Sequence, residues 1–342
     1  MKDSKVLLTG VSGFLGSHTA IQLLEKGHAV VGTLRDLRRA DAIQEIITQH
    51  TSHIDQLTLV EADLSDENVW NDLMTGIDYV QHIASPFPRV LPKKEEDLIL
   101  PAKKGTLSIM QAAAAKGVKR VVITSSSGAI VYGKSKQQRS GQFDESTWTN
   151  VANKQDSTPY FRSKTIAEKA AWDFIAQDTS GLELATVCPG AILGPVLEDD
   201  FGTSANIVIK TIDGSTPALP NIGFDMVDVR SVADLLIRAM ESPQAANQRY
   251  VGSAGFLKFK DVARILKEAY PKRKIPSATL PNFAVRWFSN IDKSLKPILI
   301  DLGVERKVDN TKARKELNWE PIDNREAVLS CAESVIELGI VK

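Results

Sequence analysis

Residues Val6 to Gly16 read V-L-L-T-G-V-S-G-F-L-G, and this stretch decides the fold. The apolar run Val6-Leu7-Leu8 breaks at Thr9-Gly10. Glycines follow at Gly10, Gly13 and Gly16, and a helical pattern then carries apolar Ala20, Ile21, Leu23 and Leu24. Strand, glycine turn and helix in that order set a helix N-terminus where it can meet a pyrophosphate. Glycines let the backbone turn tightly and approach the phosphates, and the free N–H groups and dipole of the first helical turn offset the negative charge. Gly10, Ser12, Gly13, Phe14 and Leu15 are therefore the expected phosphate-side contacts. Three glycines alone also fit a tight strand-to-helix connection. Their position at the first such turn, with a second apolar strand Ala29-Val30-Val31-Gly32-Thr33-Leu34 completing a βαβ unit, favours a dinucleotide.

The end of that second strand selects between two cofactors. An acidic residue there binds the adenosine ribose hydroxyls of NAD, whereas a basic one accommodates the 2′-phosphate of NADP. The strand runs out as Thr33-Leu34-Arg35-Asp36, with Arg38 and Arg39 close behind. A guanidinium presents a planar fork of donors suited to phosphate, so NADP(H) is expected, with Arg35 as its main 2′-phosphate partner. A solvated basic turn is the alternative, and Asp36 could point at the ribose or pair with Arg35.

The chain has 342 residues, enough for one large α/β unit with an appended lobe. Lys+Arg and Asp+Glu both number 42, so the net charge is zero and nothing suggests a nucleic-acid footprint or a polybasic membrane surface. The two cysteines, Cys188 and Cys331, lie far apart, and the five histidines show no zinc spacing. No metal is expected, and the cysteines are expected as packed apolar residues in a reducing compartment. The N-terminus leads straight into the first strand, without a signal-peptide apolar region or a long apolar span. A soluble, cytoplasmic protein is expected, monomeric or homodimeric, whose partner is a small molecule.

Further strands are expected at Leu57–Val60, Tyr79–Ile83, Arg120–Thr124 and Leu182–Val187, with long helices over 101–116 and 160–176. This alternation predicts a doubly wound parallel sheet with helices on both faces, whose ligands bind beyond the C-terminal strand ends. Past Gly190 the alternation stops. A helix starting near Asp228 and a strand at Gln248–Val251 should return to the sheet, and Phe259–Tyr270 and Asn324–Leu338 should be helices of a smaller lobe. The expected division is residues 1–189, joined by about 225–253, as the Rossmann-type dinucleotide domain. Residues 190–224 and 254–342 form the interleaved substrate lobe.

Tyr160-Phe161-Arg162-Ser163-Lys164 carries the chemistry. Tyr and Lys at i and i+4 share a helix face. A phenol titrates near ~10 unperturbed, and a neighbouring ammonium lowers that value, so the tyrosine can exchange a proton with a carbonyl oxygen. The pattern alone is common in helices. Here it follows the strand-end cluster Ser125-Ser126-Ser127-Gly128, which a parallel sheet brings to the same edge.

Together Ser126, Tyr160 and Lys164 resemble the Ser-Tyr-Lys constellation of the extended short-chain dehydrogenase/reductases. More specifically, the chain is similar to the dihydroflavonol reductase, cinnamoyl-CoA reductase and methylglyoxal-type aldehyde reductase group. The matching segments span nearly the first 200 residues: Thr9–Gly16, Gly32–Asp36, Glu61–Leu64, Ile83–Pro86, Val122–Gly128, Phe143–Trp148, Tyr160–Glu168 and Cys188–Pro195. The C-terminal third matches loosely at Val308–Ala313. The resemblance implies that Ser126 polarises a substrate carbonyl, Tyr160 is the general acid, and Lys164 binds the nicotinamide ribose and tunes Tyr160. It also implies that Asp63 and Leu64 flank the adenine, that Ile83, Ala84 and Ser85 line the path to the nicotinamide, and that Pro189 and Ile192 meet the carboxamide.

Plant flavonoid reductases of this group carry a polar amide or acid shortly after the serine motif, where this chain has Val131 and then Tyr132. Its absence argues against a flavonoid substrate. Phe87, Pro88, Val131, Tyr132 and Phe201 suggest an apolar pocket, though each also fits ordinary core. The expected function is NADPH-dependent reduction of an aldehyde or ketone. A 3β-hydroxysteroid-type dehydrogenase uses the same triad. A nucleotide-sugar epimerase or dehydratase of this fold favours an acid near Leu34, and a non-catalytic dinucleotide sensor often lacks the Tyr/Lys pair.

Overall fold

A computed structural model describes residues 4–66, 68–85, 94–199, 201–291 and 293–341. The chain opens β1 (Lys5–Thr9), α1 (Phe14–Glu25), β2 (Ala29–Leu34), α2 (Ala40–Thr48), β3 (Leu57–Glu61), α3 (Val69–Leu73) and β4 (Tyr79–His82). It continues α4 (Glu96–Ala115), β5 (Arg120–Thr124), β6 (Gly141–Phe143), α5 (Pro159–Ile175), β7 (Glu183–Pro189) and β8 (Ala191–Leu193). Next come α6 (Asn206–Ile212), β9 (Leu219–Pro220), β10 (Gly223–Asp228), α7 (Val229–Glu241), β11 (Gln248–Gly252), β12 (Gly255–Lys258) and α8 (Phe259–Ala269). β13 (Thr279–Leu280), α9 (Asn282–Phe288), β14 (Arg306–Val308), α10 (Thr311–Leu317) and α11 (Asn324–Glu337) complete it.

Seven strands form one parallel sheet in the order β11-β7-β5-β4-β1-β2-β3. The order runs outward in opposite directions from β1 and β4, so the topological switch point falls between them, where a doubly wound sheet opens its ligand crevice. The central strands are apolar on both faces because helices cover both. Val6, Leu8, Val122 and Val187 pack with α1 and α7 on one side, and Leu7, Val80, Val121 and Leu184 pack with α3, α4 and Ala171 of α5 on the other. Each such side chain, buried whole, contributes about 1.5–3 kcal/mol.

The smaller lobe has a three-stranded sheet, β12-β10-β8, covered by α6, α8 and α11. These short strands were not legible in the sequence, which predicted only helices there. β10 belongs to this small sheet, while α7 and β11, which follow it, return to the large one. Arg120, buried on β5, fixes that return. It pairs with Glu183 and donates to the carbonyls of Ala239, Met240 and Ser242, which the end of α7 leaves without helical partners. α4 starts earlier than expected, at Glu96, with Pro101 inside it. A proline this near a helix start forfeits one backbone bond and is tolerated. No helix among the described residues is long and apolar enough to cross a membrane.

Candidate active site

Because the sheet is parallel, the segments after β1, β2, β3, β4, β5 and β7 emerge at one edge. The first five carry Gly10, Arg35, Asp63, Ile83–Ser85 and Ser126 in turn, and Pro189 is the last residue of β7 itself. The glycine turn is built for close approach. Gly10 has φ +75°, and a Cβ there would sit 3.1 Å from Ala84. A Cβ on Gly16 would lie 2.0 Å from the Gly10 oxygen, so glycine alone lets α1 start against the end of β1. Gly13 differs: its φ is −95°, and an added Cβ would meet the protein only at an ordinary 3.6 Å. As the N-cap of α1 it supplies no side-chain bond, so nothing from a cap competes for the first N–H groups of the helix, with Phe14 half-buried and Leu15 buried behind them. An open glycine before uncapped N–H groups fits a pyrophosphate. Thr9 ties the turn to β4: its hydroxyl bonds His82 Nδ1 at 2.9 Å and accepts from the Ala84 N–H at 3.0 Å.

At the end of β2 the charged side chains take different partners. Asp36 is engaged by Arg38, whose Nε and Nη2 donate to it at 2.8 and 2.7 Å, and this bond holds its carboxyl down to about 2. Arg39 reaches Glu198 at 3.0 Å. Arg35 is exposed and makes no hydrogen bond or ion pair among the described residues. Of the two alternatives for Asp36, the ribose or Arg35, the structure takes neither: its partner is Arg38, two residues along a tight turn. Asp63 accepts from the Ser65 N–H and hydroxyl through Oδ1, which lowers its pKa, aided by the Arg35 charge.

At the other end of the crevice stand Ser126, Tyr160 and Lys164. Thr158 caps α5, accepting from the Phe161 N–H, and Pro159 occupies its first turn, which fixes Tyr160 at the helix start. Ser126 closes the 3₁₀ turn 127–129 by accepting from the Gly128 N–H at 3.0 Å, and its hydroxyl bonds the Tyr160 phenol. Gly128 permits this approach, since a Cβ there would lie 2.3 Å from the Phe161 ring. Lys164 Nζ donates to the Thr124 carbonyl at 3.0 Å. Burial pushes Tyr160 up to about 12, partly offset by the Ser126 bond, and pushes Lys164 down to about 8 against the charge of Glu168. The expected lowering of the phenol by the ammonium is therefore not met: burial dominates, and Ser126 is what offsets it. A cleft lined by Leu64, His82, Ala84, Ser85, Thr124 and Lys164 joins the β3 and β4 ends to the lysine.

Pro189 ends β7, buried, and Ile192 lies half-buried in β8, pairing with Val227. Val131 and Tyr132, expected either in an apolar pocket or as ordinary core, are packed side chains. Both are buried in a cluster with Ile130, Cys188, Val251 and Val308, and the Tyr132 ring stacks on Phe161 at 3.9 Å with Arg306 over it. Phe201 packs on the small-lobe core, and Phe87 and Pro88 lie outside the described residues. Sequence reasoning missed Thr9, His82, Glu168 and Arg249. A charged residue beside the apolar pair Tyr250-Val251 of a predicted strand, as at Arg249, was the available signal.

Fold and site together define a class: oxidoreductases that use a nicotinamide dinucleotide on a Rossmann-type sheet. The NAD dependent epimerase/dehydratase family matches residues 6–251. The chain is 30% identical to cinnamoyl-CoA reductase CAD2 of Medicago truncatula over 322 residues, covering 92% of this chain and 97% of that one. It is 33% identical to tetraketide alpha-pyrone reductase 1 of Arabidopsis thaliana, covering 80% and 83%. Yeast methylglyoxal/isovaleraldehyde reductase Gre2, solved complexed with NADPH, superposes with a TM-score of 0.82 at 25% identity, covering 99% of this chain and 100% of that chain. The chain belongs to the NAD dependent epimerase/dehydratase family, the extended short-chain dehydrogenase/reductases.

Proposed function

We propose that the protein reduces the carbonyl of an aldehyde or ketone to an alcohol using NADPH. The observation that carries this reading is the Ser126–Tyr160 hydrogen bond beside Lys164, at the same sheet edge as the open glycine turn and Arg35, which makes no ion pair among the described residues. NADPH, when bound, supplies the hydride. Gly10, Ser12 and Gly13, with the first N–H groups of α1, hold the pyrophosphate, and Arg35 holds the 2′-phosphate. Asp36, occupied by Arg38, does not compete for that position. Asp63 and Leu64 flank the adenine, while Ile83, Ala84, Ser85, Pro189 and Ile192 line the path to the nicotinamide. Ser126 orients the carbonyl oxygen. Tyr160, kept protonated by burial, gives that oxygen a proton, and the Lys164 ammonium stabilises the phenolate left behind. Reduction by the yeast relative and by the plant reductases supports the direction.

A panel of aldehydes, diketones and ketoesters, with loss of NADPH absorbance as the signal, tests the reading. Turnover with NADPH well above that with NADH supports it. Conversion of UDP-sugars without added cofactor would instead make the protein an epimerase. Oxidation of hydroxysteroids as the only turnover would make it a dehydrogenase.

A further inference from the structure

Tyr160, Lys164 and Glu168 follow one another at i, i+4 and i+8 along α5. The third of these is a buried carboxylate with every lone-pair direction used. Its Oε1 accepts from Arg249 Nε at 2.7 Å, from the Thr186 hydroxyl at 2.9 Å and from Trp172 Nε1 at 3.4 Å. Its Oε2 accepts from the Ser125 hydroxyl at 2.5 Å and from Arg249 Nη2 at 3.1 Å, and the Cys188 thiol lies within 3.9 Å of both oxygens. Arg249, equally buried on β11, donates to the carbonyls of Glu145, Thr147 and Ala129, and its guanidinium lies 3.7 Å from the centre of the Trp148 ring.

These bonds bracket the serine turn. Ser125 is held on one side of Ser126 and the Ala129 carbonyl on the other, both from a pair whose carboxylate rides on the helix that bears Tyr160 and Lys164. A buried ion pair is no better for stability than apolar packing of the same volume, but it fixes geometry that apolar packing leaves loose. We infer that Glu168 and Arg249 are a positioning pair, setting Ser126 against Tyr160 and supporting the Lys164 ammonium from behind. The inference rests on the functional reading above.

The charges facing Lys164 agree. Tyr160 and Glu168 stand on its own helix, Cys188 on β7 and His82 on β4, with Arg249 beyond Glu168 on β11, while α4 offers only Ala102 and Thr106. Of the groups opposing the loss of the lysine proton, Glu168 acts more strongly than Cys188.

Three variants test the inference. Glu168→Gln keeps the shape and removes the charge, and the double variant Glu168→Gln/Arg249→Met leaves no buried charge unpaired. Arg249→Lys keeps the counter-charge and loses the fork, and it serves if the first does not fold. Expected are a 10- to 100-fold fall in kcat with NADPH affinity, read by its fluorescence, within threefold of the parent. The double variant should melt near the parent temperature yet stay slow. In cofactor-free protein, the pH midpoint for acetic-anhydride labelling of Lys164, read by mass spectrometry, should move down in the variants lacking Glu168 and stay put in Arg249→Lys. Parent-like kcat and labelling midpoint, with only melting altered, would overturn the inference. Tyr160→Phe run alongside separates the two failures: if it keeps full turnover the functional reading falls, and if it is inactive while the pair variants are unaltered only the pairing falls.

Discussion

At the scale of single residues, the two ends of the crevice make separable predictions. Tyr160→Phe removes the transferable proton without altering the phosphate side, so kcat should fall by about 10²–10⁴ while NADPH binding, followed by fluorescence, stays near normal. Arg35→Ala should raise the NADPH dissociation constant by roughly 10- to 100-fold and leave NADH little changed, since a charge-assisted phosphate contact is worth about 1.5–3 kcal/mol. Equal losses for both cofactors would place the 2′-phosphate elsewhere. The titrations differ in sense. Burial lowers Lys164 to about 8 and raises Tyr160 to about 12, so as pH climbs the lysine loses its charge first, while the phenol still holds its proton. Reduction rates should therefore fall above a pH of about 8, and a flat profile to a pH of about 10 would contradict Lys164's role.

At the scale of elements, the glycine turn can be dissected. Gly16→Ala drives a Cβ into the Gly10 oxygen, backbone against backbone, so it should destabilise the fold by at least about 1–3 kcal/mol in a urea titration. Gly13→Ala meets no protein atom closer than 3.6 Å at an allowed φ, so stability should be kept while NADPH binding weakens; unchanged binding would remove the pyrophosphate from that helix. These elements were legible in the sequence because their signals are local. A glycine at fixed spacing, a tyrosine and lysine at i and i+4 and an apolar strand each act within a few residues. Parallel strands then carried Ser126 and Tyr160 to one edge by topology alone. What could not be read was set by distant partners. Asp36 turned to Arg38, Tyr132 was consumed by Phe161 and Arg306, and the strands of the small lobe are defined by neighbours far along the chain. Burial likewise reversed the expected direction for Tyr160, since desolvation depends on packing that spacing does not reveal.

At the scale of the whole molecule, the chain crosses repeatedly between its seven-stranded and three-stranded sheets, from β7 to β8 and from β10 through α7 to β11. Polar bonds follow the crossings. His18 on α1 bonds the Pro195 carbonyl at 2.9 Å, and Gln22 donates to the Arg230 carbonyl at 2.9 Å. The C-terminal segment closes the loop: Ala313, Leu317 and Trp319 lie in the core of the large sheet, and the Trp319 indole donates to the Ser231 carbonyl at 2.9 Å. Lobes joined by a single linker unfold separately when few contacts cross the boundary, whereas here neither core is complete without chain from the other side. Thermal unfolding should therefore give one calorimetric transition. NADPH at 100 times its dissociation constant should raise that single transition as a unit, by an amount equivalent to about 2.7 kcal/mol. Two resolved transitions, of which only the first moves with NADPH, would mean that the lobes are energetically independent despite their interleaving, and that the crevice is formed by docking after folding.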